Sequence, residues 1–124
     1  MGLHSRLAEK EHEKRVYERN LVECEESYEY ISMKQREIEE DIYAPDKSYD
    51  MTYSGDWYGA LERDADNLRN ENCSQTAILL NNTSKRLDDL QKVMERLREL
   101  IRECEEEIAA LEEEIRERER NNYE

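Results

Sequence analysis

Phenylalanine is missing from this chain, and proline and tryptophan occur once each among 124 residues. There are three glycines and three cysteines. So few breakers exclude a turn-rich β-sandwich or barrel, and the excess of Glu, Arg, Leu and Lys that replaces them reads as all-α. Apolar residues are scarce at 36%, too few to build a round globule. We therefore expect an elongated molecule with narrow apolar stripes. No long apolar run exists; none exceeds that of Ala77 to Leu80, which excludes a membrane-spanning helix. No apolar segment follows Met1, so an ordinary secretory signal is not expected. Basic excess is lacking too. The net charge is −14, which argues against nucleic acid and anionic membrane as partners. An odd number of cysteines with no close pair fits a reducing compartment.

Two long periodic segments make up most of the rest. From about residue 2 to 43, one column runs through Leu3, Leu7, Lys10, Lys14, Tyr17, Leu21, Cys24, Tyr28, Ile31, Gln35, Ile38 and Ile42. Its period is 3.5, with three polar interruptions. This predicts an amphipathic helix of about 40 residues, roughly 60 Å long, in left-handed coiled-coil packing. Ala44-Pro45 ends it. Residues 44–56 have the composition of a loop, with Ser54 or Asp56 as the N-cap of the next helix.

A second helix is expected from about residue 57 to 120. Its column is Leu80, Thr83, Leu87, Leu90, Met94, Leu97, Ile101, Cys104, Ile108, Leu111 and Ile115. Upstream, the line Leu61, Ala65, Leu68, Asn72, Thr76, Leu80 takes three successive steps of four, the spacing of a stutter. The "NNTS" at 81–84 leaves two arrangements open: one continuous helix, or a three-helix arrangement with a break there. The fold expected is a single domain over 1–124, an antiparallel helical hairpin. Closed symmetrically about the 44–56 loop, it pairs Leu3 near residue 96. The last 20 or so residues then project without a mate, yet they keep the stripe Ile101, Cys104, Ile108, Leu111, Ile115. We therefore expect a helix of another chain to cover it. Val93 and Leu100 widen the stripe, as where more than two helices meet.

Chemistry finds little footing. His4 and His12 lack companions at metal-ligand spacing. Cys24 and Cys104 sit in the apolar columns and read as small hydrophobes; nothing marks Cys73 as activated. Laid on the EF-hand spacing from Asp46, the obligatory Gly falls on Met51 and the bidentate Glu on Trp57, so a calcium loop fails. Phosphate loops, nucleophile elbows and zinc-protease motifs are missing. Asn72, Asn81 and Asn82 match the glycosylation pattern, which carries no meaning without a secretory signal. No enzyme, cofactor or metal is expected.

Trp57-Tyr58-Gly59 remains. A flat ring at a hairpin corner, two residues from a position without Cβ, lets a partner pack closely and dock. A long helix, a loop and Trp-x-Gly opening a second helix resembles the WXG superfamily, small helical-hairpin proteins of type VII secretion. The Glu-rich second helix looks most like the small helical proteins associated with LXG-domain toxins. That resemblance implies a chaperone or targeting factor that binds the helical N-terminal domain of such a toxin, with a second small helical protein as a further partner. It also implies cytoplasmic residence, or co-export without a cleaved signal. The partner-binding residues expected are Trp57, Gly59, Leu97, Ile101, Ile108, Leu111 and Ile115. One departure counts against export by this chain alone: the aromatic-x-x-x-acid signal of many exported members has no room at Tyr123, and Tyr58 to Glu62 has its spacing at the other end. Two other functions stay open. A prefoldin-like subunit would need a β-hairpin in the middle segment, and a homomeric coiled-coil scaffold would need no partner.

Overall fold

A computed structural model describes residues 2–45 and 59–123, with side chains described for 2–45 and 63–122. All of these except Gly2 are helical. The first helix, α1, spans Leu3–Ile38. Its first turn is closed by the Arg6 amide donating to the Gly2 carbonyl at 3.1 Å. The second, α2, spans Gly59–Tyr123 and is unbroken over 65 residues. The two helices pack against each other as an antiparallel hairpin with coiled-coil packing: Lys10 meets Glu107 and Glu25 meets Arg98, so numbers fall along α2 as they rise along α1. Among the described residues no helix is long and apolar enough to cross a membrane.

The "NNTS" stretch is helix, which removes the three-helix alternative. Its polar side chains are absorbed without a turn. Thr83 Oγ1 donates back to the Leu79 carbonyl at 2.8 Å, the i−4 bond open to Ser and Thr in helices. Ser84 Oγ instead accepts from Gln35 Nε2 at 2.7 Å.

Between Glu39 and Tyr43 the first helix widens into a π turn, in which the Ala44 amide donates to the Glu39 carbonyl, five residues back. Helical conformation persists through Pro45. The extra residue shifts the phase of everything after it. The expected column had Ile42 following Ile38; the structure puts Tyr43 there, half-buried, and leaves Ile42 50% exposed. Proline explains the need for a local change. It offers no amide, and its ring would crowd the carbonyl four residues back in a regular α-helix. Residues 44 and 45 of the expected loop 44–56 are therefore helical. Its remainder, with Ser54, Asp56, Trp57 and the alternating Tyr49, Met51 and Tyr53, lies outside the described residues.

The chain divides into two compact units, one of Met1–Ser27 with Leu90–Glu124, the other Tyr28–Asp89. In the first, Met94, Leu97, Cys104 and Leu111 are buried, and Leu90, Ile101, Ile108 and Ile115 are half-buried. In the second, Leu80 and Leu87 are buried and Thr83 is half-buried. Every member of the expected α2 column thus turns inward. Upstream the expected stutter is not found. Leu68 is 61% exposed and Asn72 is exposed, whereas Asp66, Arg69, Cys73 and Thr76 face inward. Those residues keep the alternation of three and four that continues to Ile115, so the heptad is regular from Asp66 onward. The inner line is polar here, and apolar residues mark the wrong face. An ion pair inside the helix makes this tolerable: Arg69 approaches Asp66 Oδ1, which is enclosed, at 3.0 Å.

Candidate partner-binding surface

The three polar interruptions in the α1 column, Lys10, Lys14 and Gln35, all face the other helix, and each finds a polar partner there. Lys10 Nζ reaches Glu107 at 2.8 Å across the pair and Glu13 at 3.1 Å along its own helix. Those two carboxylates hold its ammonium well above the ordinary lysine range, with the Glu107 contact the larger cause. Lys14 lies 3.8 Å from Glu105. Both are snorkelling arrangements, with the aliphatic stem in the seam and the charge at its rim. Gln35, in the other unit, donates through Nε2 to the Leu80 carbonyl at 3.0 Å as well as to Ser84. That carbonyl already serves the helix, so Gln35 uses its second lone pair.

These contacts set the register, and it differs from the one expected. Continued from the Lys10–Glu107 pair, it places Leu3 opposite about residue 114 rather than near 96. The stretch expected to project is therefore held against α1. Cys104, 4% exposed, donates weakly through Sγ to Glu13 Oε2 at 3.9 Å. Burial first, and the Glu13 charge second, push its thiol above the usual cysteine range. The two registers differ in what they give Lys14. Had Leu3 paired near residue 96, Lys14 would have stood beside about Lys85 and Arg86, a like-charge clash; the observed register gives it Glu105.

Of the residues expected to bind a partner, Leu97 and Leu111 are buried in the α1–α2 seam, while Ile101, Ile108 and Ile115 are half-buried along it. These five share one line in one unit. Gly59 opens α2 and belongs to the other unit; Trp57 lies outside the described residues. The premise that the stripe lacks an intramolecular mate is thus corrected. The residues that sequence reasoning missed are Lys10, Lys14, Gln35 and Glu107. For Lys10, Lys14 and Gln35 the signal was available as interruptions of an apolar column, each of which asks for a polar partner across the seam; Glu107, outside the column, carried no such mark.

The covering is incomplete. No residue of α1 is buried, so each side of the seam is open to solvent, as two helices alone leave it. On α2, Leu100 is half-buried and Val93 is 48% exposed, beside the column rather than in it. Past Ile115 the helix is held by pairs along itself, Arg116 to Glu113 at 2.8 Å and Arg118 to Glu114 at 3.6 Å. The Arg116 contact draws the Glu113 carboxyl below its ordinary range. Among the described residues, no group of three His, Cys, Asp or Glu side chains is placed to hold a metal ion. A scan against protein-family models, curated proteins and solved structures finds no match to this chain.

Proposed function

We propose that this protein is a non-catalytic interaction protein: a chaperone or targeting factor that binds the helical N-terminal domain of an LXG-type toxin for type VII secretion. The observation that carries the reading is the position of Gly59. It is the first residue of α2, the second long helix of a two-helix hairpin, and in the sequence it closes the Trp57-x-Gly59 triplet on which the WXG resemblance rests. The open sides of the seam support a helical partner in particular. Two helices carrying apolar residues beside their heptad column gain by burying them against a third.

The mechanism follows from that geometry. A partner helix lies along the exposed flank of the seam, reaches the half-buried Ile101 and Ile108 from outside, and is kept soluble by the acidic outer faces of the hairpin. Trp57 and Gly59 form a second contact. The test is co-expression with the N-terminal domain of a toxin encoded beside this gene. Co-purification at equal stoichiometry, weakened by Trp57→Ala without loss of helix content, is the expected result. A toxin domain that elutes alone from a soluble, helical partner overturns the reading.

A further inference from the structure

The acidic acceptor that the seam lysines use is present twice on α2. Glu105 to Glu107 lie between Cys104 and Ile108, and Glu112 to Glu114 lie between Leu111 and Ile115, seven residues on. The four flanking residues all turn inward. A displacement by seven keeps every heptad position on its own face, so the second triplet offers α1 what the first does. Slid by one heptad, about 10 Å along the axis, Lys10 passes from Glu107 to Glu114 and Lys14 from Glu105 to Glu112. Glu114 is already met by Arg118 at 3.6 Å, but that pair runs along one exposed helix and is weak. Glu13 then meets Leu111 in place of Cys104. In the other unit Gln35 exchanges the Leu80 carbonyl for that of Leu87. The slide in the opposite sense fails, because it sets Lys10 against Leu100 and Lys14 against Arg98.

We infer that the hairpin has a second register, one heptad along in that one direction, and that it exchanges with the observed one as a minor state. Two contacts keep the observed register in the majority. Arg98 lies 3.8 Å from Glu25, and the slide brings Glu105 to Glu25 instead. Leu3 and Leu7, both half-buried, pass from opposite about residues 114 and 110 to opposite about 121 and 117, where α2 carries Asn and Glu. The second register therefore uncovers Leu3 and Leu7 at one end of the seam while both lysines keep carboxylates. Whatever covers those two leucines draws the hairpin toward it. The inference goes beyond the proposed function and does not depend on it.

Native Cys24 can report the register in the full chain, with Cys73→Ser and Cys104→Ala removing the other thiols. Counted from the Lys10–Glu107 and Lys14–Glu105 pairs, its nearest inner position on α2 is 94 in the observed register and 101 in the second. Met94→Cys and Ile101→Cys are made separately. Each disulfide to Cys24 is equilibrated in a glutathione buffer, so that its effective concentration measures how often the two thiols meet. The disulfide to position 101 should form at about one-thirtieth of the effective concentration found for position 94, the cost of uncovering two half-buried leucines. Glu25→Lys, which repels Arg98 and attracts Glu105, should raise that ratio about fivefold; Glu112→Gln/Glu114→Gln, which removes the second acceptor, should lower it about fivefold. All of these changes in charge fall on exposed side chains, and circular dichroism checks that helix content is kept. Random opening of the seam would join Cys24 to position 101 equally with and without the two glutamates. A ratio that stays put in either charge variant, or no disulfide to position 101 at all, overturns the inference.

Discussion

Replacing Leu111 by alanine separates the observed register from the one in which the end of α2 projects alone. Leu111 is 7% exposed, among the most enclosed side chains of its unit. Leu→Ala in a fully enclosed core costs about 2–5 kcal/mol, part of it for the cavity left behind. A seam between two helices has solvent at both sides and can close around the gap, so the lower end applies, at about 2 kcal/mol. For a domain of this size that lowers Tm by about 8 °C. On a projecting helix the same change would remove no packing, and alanine's higher helix propensity would leave stability level or raise it by about 0.2 kcal/mol. Helix content followed by circular dichroism against temperature and urea decides between them, at two protein concentrations so that association does not contribute. Val93→Ala is the internal control. Nearly half exposed, it should cost about 0.5 kcal/mol. A Leu111→Ala protein that melts with the parent would refute the register and return the end of α2 to being an unmated stripe.

Further outcomes follow from particular contacts. Cys104 should be the last of the three cysteines to react with iodoacetamide in the folded protein at pH 8, because burial both shields the thiol and holds it protonated; mass mapping after a short pulse reads this, and early labelling at Cys104 would contradict it. Gln35→Leu should raise the urea midpoint, by about 1 kcal/mol in stability, since an apolar side chain replaces a polar contact to an exposed serine. It should at the same time loosen register, visible as a wider spread of products when engineered cysteine pairs across the seam are oxidised. Pro45→Ala should let the π turn relax to α-helix and return Ile42 to the seam. A cysteine placed at position 42 would then be alkylated more slowly in the Pro45→Ala background than in the parent, and equal rates would show that proline is not what holds the turn. For Glu113, whose carboxyl is drawn below its unfolded range by Arg116, the contribution is present above the unfolded value and is lost as pH falls through the folded one. Glu113→Gln should therefore lower helix content slightly at neutral pH and leave the acid end, where the parent carboxyl is already protonated, unchanged, so that the profile between them is flatter.

How much of this was legible beforehand depended on the kind of information each feature carries. The face of α2 that turns inward, from Leu80 to Ile115, can be read from spacing alone, because a heptad of apolar residues has one sensible inner line. The same reasoning followed the wrong residues upstream. Between Asp66 and Thr76 the inner line is an ion pair, a cysteine and a threonine, so counting apolar residues selected Leu68, which faces solvent. Ile42 was misplaced for a different reason. Periodicity assumes 3.6 residues per turn throughout, and a single π turn breaks that assumption. Register was the least legible. A heptad pattern is satisfied again each time one helix slides by seven, and loop composition says only where a helix stops. Trp57 lies outside the described residues, so its part in the surface rests on the sequence alone.

The polar interruptions connect these observations to function. A hairpin with unbroken apolar columns would have several nearly equal registers and correspondingly several candidate surfaces. Lys10 and Lys14 exclude most of them, since each alternative must give two ammonium groups carboxylates at the rim of the seam, and the slide expected from the loop would have offered Lys14 a lysine and an arginine instead. Gln35 adds the same demand in the other unit through Ser84 and the Leu80 carbonyl. With register fixed, Leu97, Leu111 and their neighbours are used inside the chain, and what remains for a partner is the line beside them. Val93, 48% exposed, and the half-buried Leu100 are its apolar members. Substituting Lys10 and Lys14 together by methionine should then do more than alter stability. It should blur the register, so that cysteine pairs engineered across the seam between α1 and α2 oxidise to a wider spread of products than in the parent. An unchanged product pattern in that variant would show that the register does not depend on the two lysines.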